Sequence, residues 1–176
     1  MMITRREPVA AHEERSFTIE RIFAVPVERV FQLWTDPLLV AQWWGVRNCT
    51  IPHCALDVRV GGRWRIDMRT ASGALYRNQG SYVDVVANRR LSYTDEPDPE
   101  LREWAGKPPG ESLHSVTFVA DGAKTHVTFT VTLASVADRE RLLALGISRG
   151  WTDSFDRLEK FIGIHAAQSA TGQSPA

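Results

Sequence analysis

The chain has 176 residues, of which 43% are hydrophobic and 24% charged, enough for one domain with a sizeable core. Twenty-one basic residues balance twenty-one acidic ones, so no net field recruits nucleic acid or an anionic membrane surface. No stretch reaches a membrane-spanning length, and the start, MMITRREPVAAHEERS, lacks the apolar core of a secretory signal, so a cytoplasmic protein is expected.

Residues 1–14 and 166–176 are polar or small and unpatterned, and both are expected to be disordered tails around one domain at 15–165. A strand is expected at 16–23, where Phe17, Ile19 and Arg21 alternate with Thr18, Glu20 and Ile22. Pro26 opens a helix at 26–35, its fixed φ suiting the first position, and Val27, Val30, Phe31 and Trp34 form one apolar stripe. Asp36-Pro37 ends that helix, because a residue before proline avoids the α region, and Asp36 caps a second helix at 37–44. From Leu38 to Trp44 this helix is apolar nearly all round. It must be buried on most sides, and it ends in two adjacent tryptophans, Trp43 and Trp44, before Gly45.

Strands are expected at 50–59 and 62–70, with Gly61-Gly62 as a two-residue hairpin turn. Trp64, Ile66 and Met68 share one face of the second run. A long strand follows at 74–87, with Gly80 read as a bulge. Whether Arg77, Gln79 and Ser81 face inward depends on that bulge, since one residue of slip reverses every side chain. A short strand at 90–95 leads into DEPDPELREWAGKPPGES, 95–112, a long charged segment with four prolines and Trp104 that reads either as a lid or as a solvated hairpin extension. Strands at 112–121 and 124–134 turn at Asp121-Gly122. His114 shares parity with Val116 and Phe118, while Val127, Phe129, Val131 and Leu133 point inward and His126 outward. The short links favour an antiparallel meander.

A long helix is expected at 136–165, capped by Ser135, with Leu143, Ile147, Trp151, Phe155, Leu158 and Ile162 at helical spacing. Gly146 and Gly150 are costly in a helix interior, each about 1 kcal/mol against alanine. Four apart, they clear one face for a close approach, by a sheet residue or by a ligand.

Four blocks carry a resemblance: VFQLWTDPLLVAQWWG, DVRVGGRWRIDM, GSYVDVVANRRLSYT and GWTDSFDRLEKF. In this order they resemble the family named for the activator of the heat-shock protein 90 ATPase, within the START and birch-pollen-allergen (SRPBCC) superfamily. The likeness runs from about Phe17 to Ile162. It implies an α+β helix-grip fold, an antiparallel sheet curved around the long C-terminal helix with two short helices after the first strand. A cavity between sheet and helices is implied too, with Trp44, Trp64, Met68, Phe129, Trp151 and Phe155 as candidate walls and His114 as the candidate polar contact, because small-molecule pockets are mainly apolar and aromatic with a few polar groups.

Signatures of catalysis are missing from the sequence: there is no G-x-S-x-G, no H-E-x-x-H, and no phosphate-cradling glycine loop. The five histidines have no metal-ligand spacing, and Cys49 and Cys54 fit two reduced thiols, so neither a metal nor a cofactor is expected. Acid–base chemistry would need Asp67 or Asp84 to face inward after a bulge. The leading expectation is a sensor, carrier or sequestering protein for a small hydrophobic or aromatic ligand, with no nucleic-acid or membrane partner. A chaperone cofactor and a cyclase- or hydrolase-type enzyme are the alternatives, and chaperone contact and a homodimer are left open. In the eukaryotic activators a separate N-terminal domain anchors the chaperone, and the length here leaves no room for one, which ranks that alternative lower.

Overall fold

The computed structural model describes residues 9–96, 98 and 111–171. Within them α1 (Val9–Glu14) leads into β1 (Ser16–Phe23), followed by α2 (Val27–Thr35) and α3 (Pro37–Trp43). The chain continues through β2 (Thr50–Leu56), β3 (Arg63–Arg69), β4 (Leu75–Val86), β5 (Arg90–Asp95), β6 (Ser112–Asp121) and β7 (Lys124–Thr132). It closes with α4 (Val136–Ala144) and α5 (Ile147–Thr171). The proline-rich segment and Trp104 lie outside the described residues, apart from its ends and Asp98.

All seven strands form one antiparallel sheet in the order β1-β7-β6-β5-β4-β3-β2. From β2 to β7 it is a meander, as the short links require. β1 then joins the far side of β7, so α2 and α3 carry the chain from one sheet edge to the other. This is the helix-grip architecture. Alternation puts Trp64 and Ile66, Tyr82, Leu91 and Tyr93, His114, Val116 and Phe118, and Val127, Phe129 and Val131 in the core under the helices. Asp36 caps α3 as expected, its carboxylate accepting from the Leu38 N–H.

The two adjacent tryptophans divide the work. Trp43 is fully buried, tilted against Trp34, and its indole N–H donates to the Leu33 carbonyl at 2.8 Å. Trp44 turns the other way, edge-on to Trp151 with ring centres 4.8 Å apart.

Several local expectations need correction. Val9–Glu14 is a short helix, not an unstructured tail; the His12 carbonyl accepts from the Ser16 hydroxyl, and the His12 ring meets the Thr132 hydroxyl at 3.3 Å. Gly61-Gly62 is not a two-residue turn, because β2 stops at Leu56 and the connection spans 57–62. Gly80 is not a bulge: pairing between β3 and β4 runs unbroken through Trp64 and Gly80, and the shift falls between Tyr82 and Asp84. Arg77, Gln79 and Ser81 therefore face outward opposite Asp67, Arg65 and Arg63. Finally, the C-terminal helix is two helices, and the second continues to Thr171. Gly146, at φ +87°, is not in a helix interior; it lies just past the end of α4, where a left-handed glycine commonly stops a helix. Gly150 is helical and faces Val46, 3.5 Å from where a Cβ would lie.

After α3 the chain turns sharply at Gly45, whose φ is +94°. A Cβ there would lie 2.7 Å from both the Cys49 and the Met68 sulfur. Gly45→Ala combines a left-handed backbone with that overlap, so it should lower unfolding stability by roughly 1–3 kcal/mol in a denaturant titration; a change within error would show that this loop relaxes freely.

Candidate functional site

Beside the Gly45 turn, the α4–α5 junction stands away from the sheet and leaves a cavity of about 290 Å³, open at one side. Its walls come from four directions. Trp44, Gly45 and Val46 follow α3; Met68, Tyr76, Asn78 and Asp95 rise from β3, β4 and β5; Leu142, Leu145 and Gly146 belong to the helix junction; Ile147, Gly150, Trp151 and Ser154 line one side of α5. The size sits at the lower edge of the roughly 300–1,000 Å³ usual for small-molecule sites. The break at Gly146 makes this space, since an unbroken helix would continue its stripe of side chains across it.

Of the residues expected to form the site, Trp44, Met68 and Trp151 come together on the wall. Trp64, Phe129 and Phe155 do not line it. Trp64 is buried beneath Trp44 and donates to the Thr94 carbonyl at 2.9 Å. Phe129 lies behind Trp151 at 4.3 Å between ring centres, and Phe155 packs against Phe23. These three support the wall instead of forming it.

His114 also sits one layer back, 1% exposed, touching Tyr93, Phe129 and Trp151. Its Nε2 meets the Ser112 hydroxyl at 3.1 Å and lies 3.8 Å from the Asp95 carboxylate. Burial holds this imidazole far below the ordinary range, at about 3, so it is neutral. His114 Nδ1 and the Tyr93 hydroxyl have no hydrogen-bond partner among the described residues.

Sequence reading missed Asp95. It shares the inward face of β5 with Leu91 and Tyr93, a period-two signal that was legible, but as the last residue of the expected 90–95 strand it also heads the charged 95–112 segment, and it is not among the expected site residues. Burial pushes its carboxyl up to about 7, with the neighbouring Glu96 charge a smaller cause. Asn78, Tyr76 and Ser154 were missed for a different reason, since their inward aim depends on the register of β4 and the path of α5.

The acid–base candidates point away. Asp67 is on the outer face, held by Arg65 through two bonds of 2.8 Å that keep its carboxyl below the ordinary range. Asp84 pairs with Arg90. Among the described residues no three His, Cys, Asp or Glu converge as metal ligands, and no helix is long and apolar enough to cross a membrane. Cys49 and Cys54 are unpaired. A second hollow, about 560 Å³, lies along the outer side of α5, but its flanks are charged, among them Arg47, Asp153, Arg157 and Lys160.

A curved sheet gripping a C-terminal helix over an apolar cavity defines a START-like, helix-grip protein. Comparison with known families narrows this further: the model described as "Activator of Hsp90 ATPase homolog 1-like protein" matches residues 24–163, and the chain belongs to that family. Solved structures agree on the fold. A Nitrosomonas europaea protein superposes with a TM-score of 0.74 at 23% identity, covering 88% of this chain and 97% of its own. An Arthrobacter aurescens protein gives 0.75 at 22%, over 86% and 87%. The AHSA1 protein of Silicibacter pomeroyi gives 0.70 at 22%, over 85% and 99%. No curated protein sequence matches the chain.

The raised Asp95 pKa has a stability consequence. The folded state binds this proton more tightly than the unfolded chain, so the stability associated with it is complete below about pH 4 and lost as pH rises through about 7. Asp95→Asn should therefore match the native protein at low pH and exceed it at pH 8. The gain should be about 1–2 kcal/mol, discounted because 31% of the side chain is exposed. Parallel denaturation curves against pH check this, and a difference independent of pH would refute it.

Proposed function

We propose that the protein binds a small, largely apolar or aromatic molecule in the cavity beside α5, as a sensor, carrier or sequestering protein. The supporting observation is a cavity of about 290 Å³ walled by Trp44, Trp151 and Met68, with a few polar atoms from Asn78, Tyr76, Ser154 and Asp95. That mixture suits recognition: the apolar walls supply affinity and the few polar groups orient the ligand. The rigid layer of Phe129, Phe155 and Trp64 behind them limits induced change, which keeps the ordering cost of binding low. A cytoplasmic setting accords with the two unpaired thiols.

Two of the wall residues are tryptophans, so ligands should report on themselves. Saturable quenching of tryptophan fluorescence is expected across a library of small aromatic compounds. Trp151→Ala should change the affinity about tenfold, the loss of one well-packed aromatic wall, while Arg89→Ala at the exposed β4–β5 turn should leave it alone. Absence of saturable binding throughout the library would defeat the proposal.

Chaperone coupling stands second, favoured by the family's own description. The cavity does not require it. In a purified chaperone ATPase assay we expect at most weak stimulation, and a several-fold increase at micromolar protein would reverse the ranking.

A further inference from the structure

The geometry points to an organic cation as the ligand class: a small ammonium whose charge sits against Asp95 and whose apolar body lies between Trp44, Trp151 and Met68. This rests on the small-molecule reading above and names what that site selects.

Among the described residues Asp95 is the single acidic or basic side chain on the cavity wall, and no lysine, arginine or histidine of theirs lines it. Within the described structure it is also a carboxylate without a counter-ion. Among the described residues no lysine or arginine pairs with it, in contrast to Asp67, Asp84, Asp138 and Glu96, each of which has an arginine. The nearest basic group is His114 Nε2 at 3.8 Å, and that imidazole is kept neutral by its burial. A partly buried carboxylate left in this condition bears a desolvation cost that a positive ligand would relieve.

The remaining walls favour the same sign of charge. Trp44, Trp151 and Tyr76 present aromatic rings, whose faces carry partial negative charge and attract ammonium groups. Asn78 and Ser154 offer oxygen acceptors to the remaining N–H groups of an ammonium. None of the described wall residues would neutralise an anion. An aliphatic or aromatic carboxylate entering here would face Asp95 at close range with no compensating cation, a like-charge juxtaposition that excludes it.

Every element packed around Asp95 bears on its protonation. β6 contributes neutral His114 and the Ser112 hydroxyl; β5 contributes the un-ionised Tyr93 hydroxyl, and just past its end Glu96 is occupied by Arg63; β4 contributes Asn78 and Tyr76. Met68 of β3, Trp44 and the α5 residues Ile147, Gly150, Trp151 and Ser154 carry no charge. Ionisation of Asp95 through about pH 7 therefore controls the charge of the cavity. Affinity for an ammonium should rise with pH through that range, and affinity for a neutral analogue should not.

Three compounds of matched size make the test: phenethylammonium, 2-phenylethanol and 3-phenylpropanoate, titrated by calorimetry against the whole native chain. At pH 8 the amine should bind about tenfold more tightly than the alcohol, and the carboxylate more weakly than either. In Asp95→Asn the ratio of amine to alcohol should fall to within about twofold. A second readout needs no variant: the amine-to-alcohol ratio of the native protein should grow between pH 6 and pH 8. Equal affinities for amine and alcohol at pH 8, or an amine preference that survives Asp95→Asn, would overturn the cation and leave an apolar pocket standing. No binding by any of the three would also overturn it, and the aromatic library then decides separately whether the pocket reading falls as well.

Discussion

The open side of the sheet is organised by a small set of bonds between α5 and the loop after α3. The Gly45 N–H donates to the Ser154 hydroxyl at 3.1 Å, and that hydroxyl lies within donating reach of the Gly45 and Gly150 carbonyls. One turn on, the Arg157 guanidinium donates to the Val46 carbonyl at 2.9 Å and touches the Cys49 sulfur. A loop with its backbone polar groups turned inward is costly unless those groups are met, and here one helix meets them. Because the loop is fixed to α5, Trp44 and Trp151 are fixed to each other. The cavity then has a defined wall on that side.

Behind that wall the packing is aromatic and continuous. Trp34, Trp43, Trp44, Trp64, Tyr93, His114 and Phe129 touch in sequence, and Phe129 also meets Trp151 and Phe155, all at tilted or edge-on angles that suit ring quadrupoles. Such a layer fills volume with few rotatable bonds. Among the described residues it also buries three polar atoms without protein partners: Trp34 Nε1 on α2, the Tyr93 hydroxyl on β5 and His114 Nδ1 on β6. Two of these three belong to the strands behind the cavity, and the third lies under α2.

The architecture was legible because hydrophobic alternation and the stripes of α2 and α5 are strong, local signals. The site was legible only in part, and the reasons are specific. Trp44, Met68 and Trp151 announce themselves as large apolar residues in the right elements, but so do Trp64, Phe129 and Phe155, and size alone does not say which residues face a gap and which fill it. That distinction is made by the break at Gly146, where two short-range hydrogen bonds and a left-handed φ replace a continuous helix. Glycine four residues before Gly150 looked like a paired motif; in the fold the two do different things. Asp95 was hidden by its neighbours in sequence, since a lone inward acid at the end of a strand looks the same as the start of a charged loop.

The pairing of β1 with β7 has a kinetic side. Phe17 lies opposite Val131 and Ser16 opposite Thr132, so the first strand to be synthesised must wait for the last strand before it can hydrogen-bond. Until then α2 and α3 can cover only the growing meander, α3 against β2 and α2 against β6, and the part of the core that β7 supplies, Phe129 and Val131 among it, is missing. Long-range closure of this kind slows folding and lengthens the time during which a nascent chain is prone to aggregate. The edge-to-edge crossover that positions Trp44 over the cavity therefore makes its formation one of the last events in the birth of the molecule.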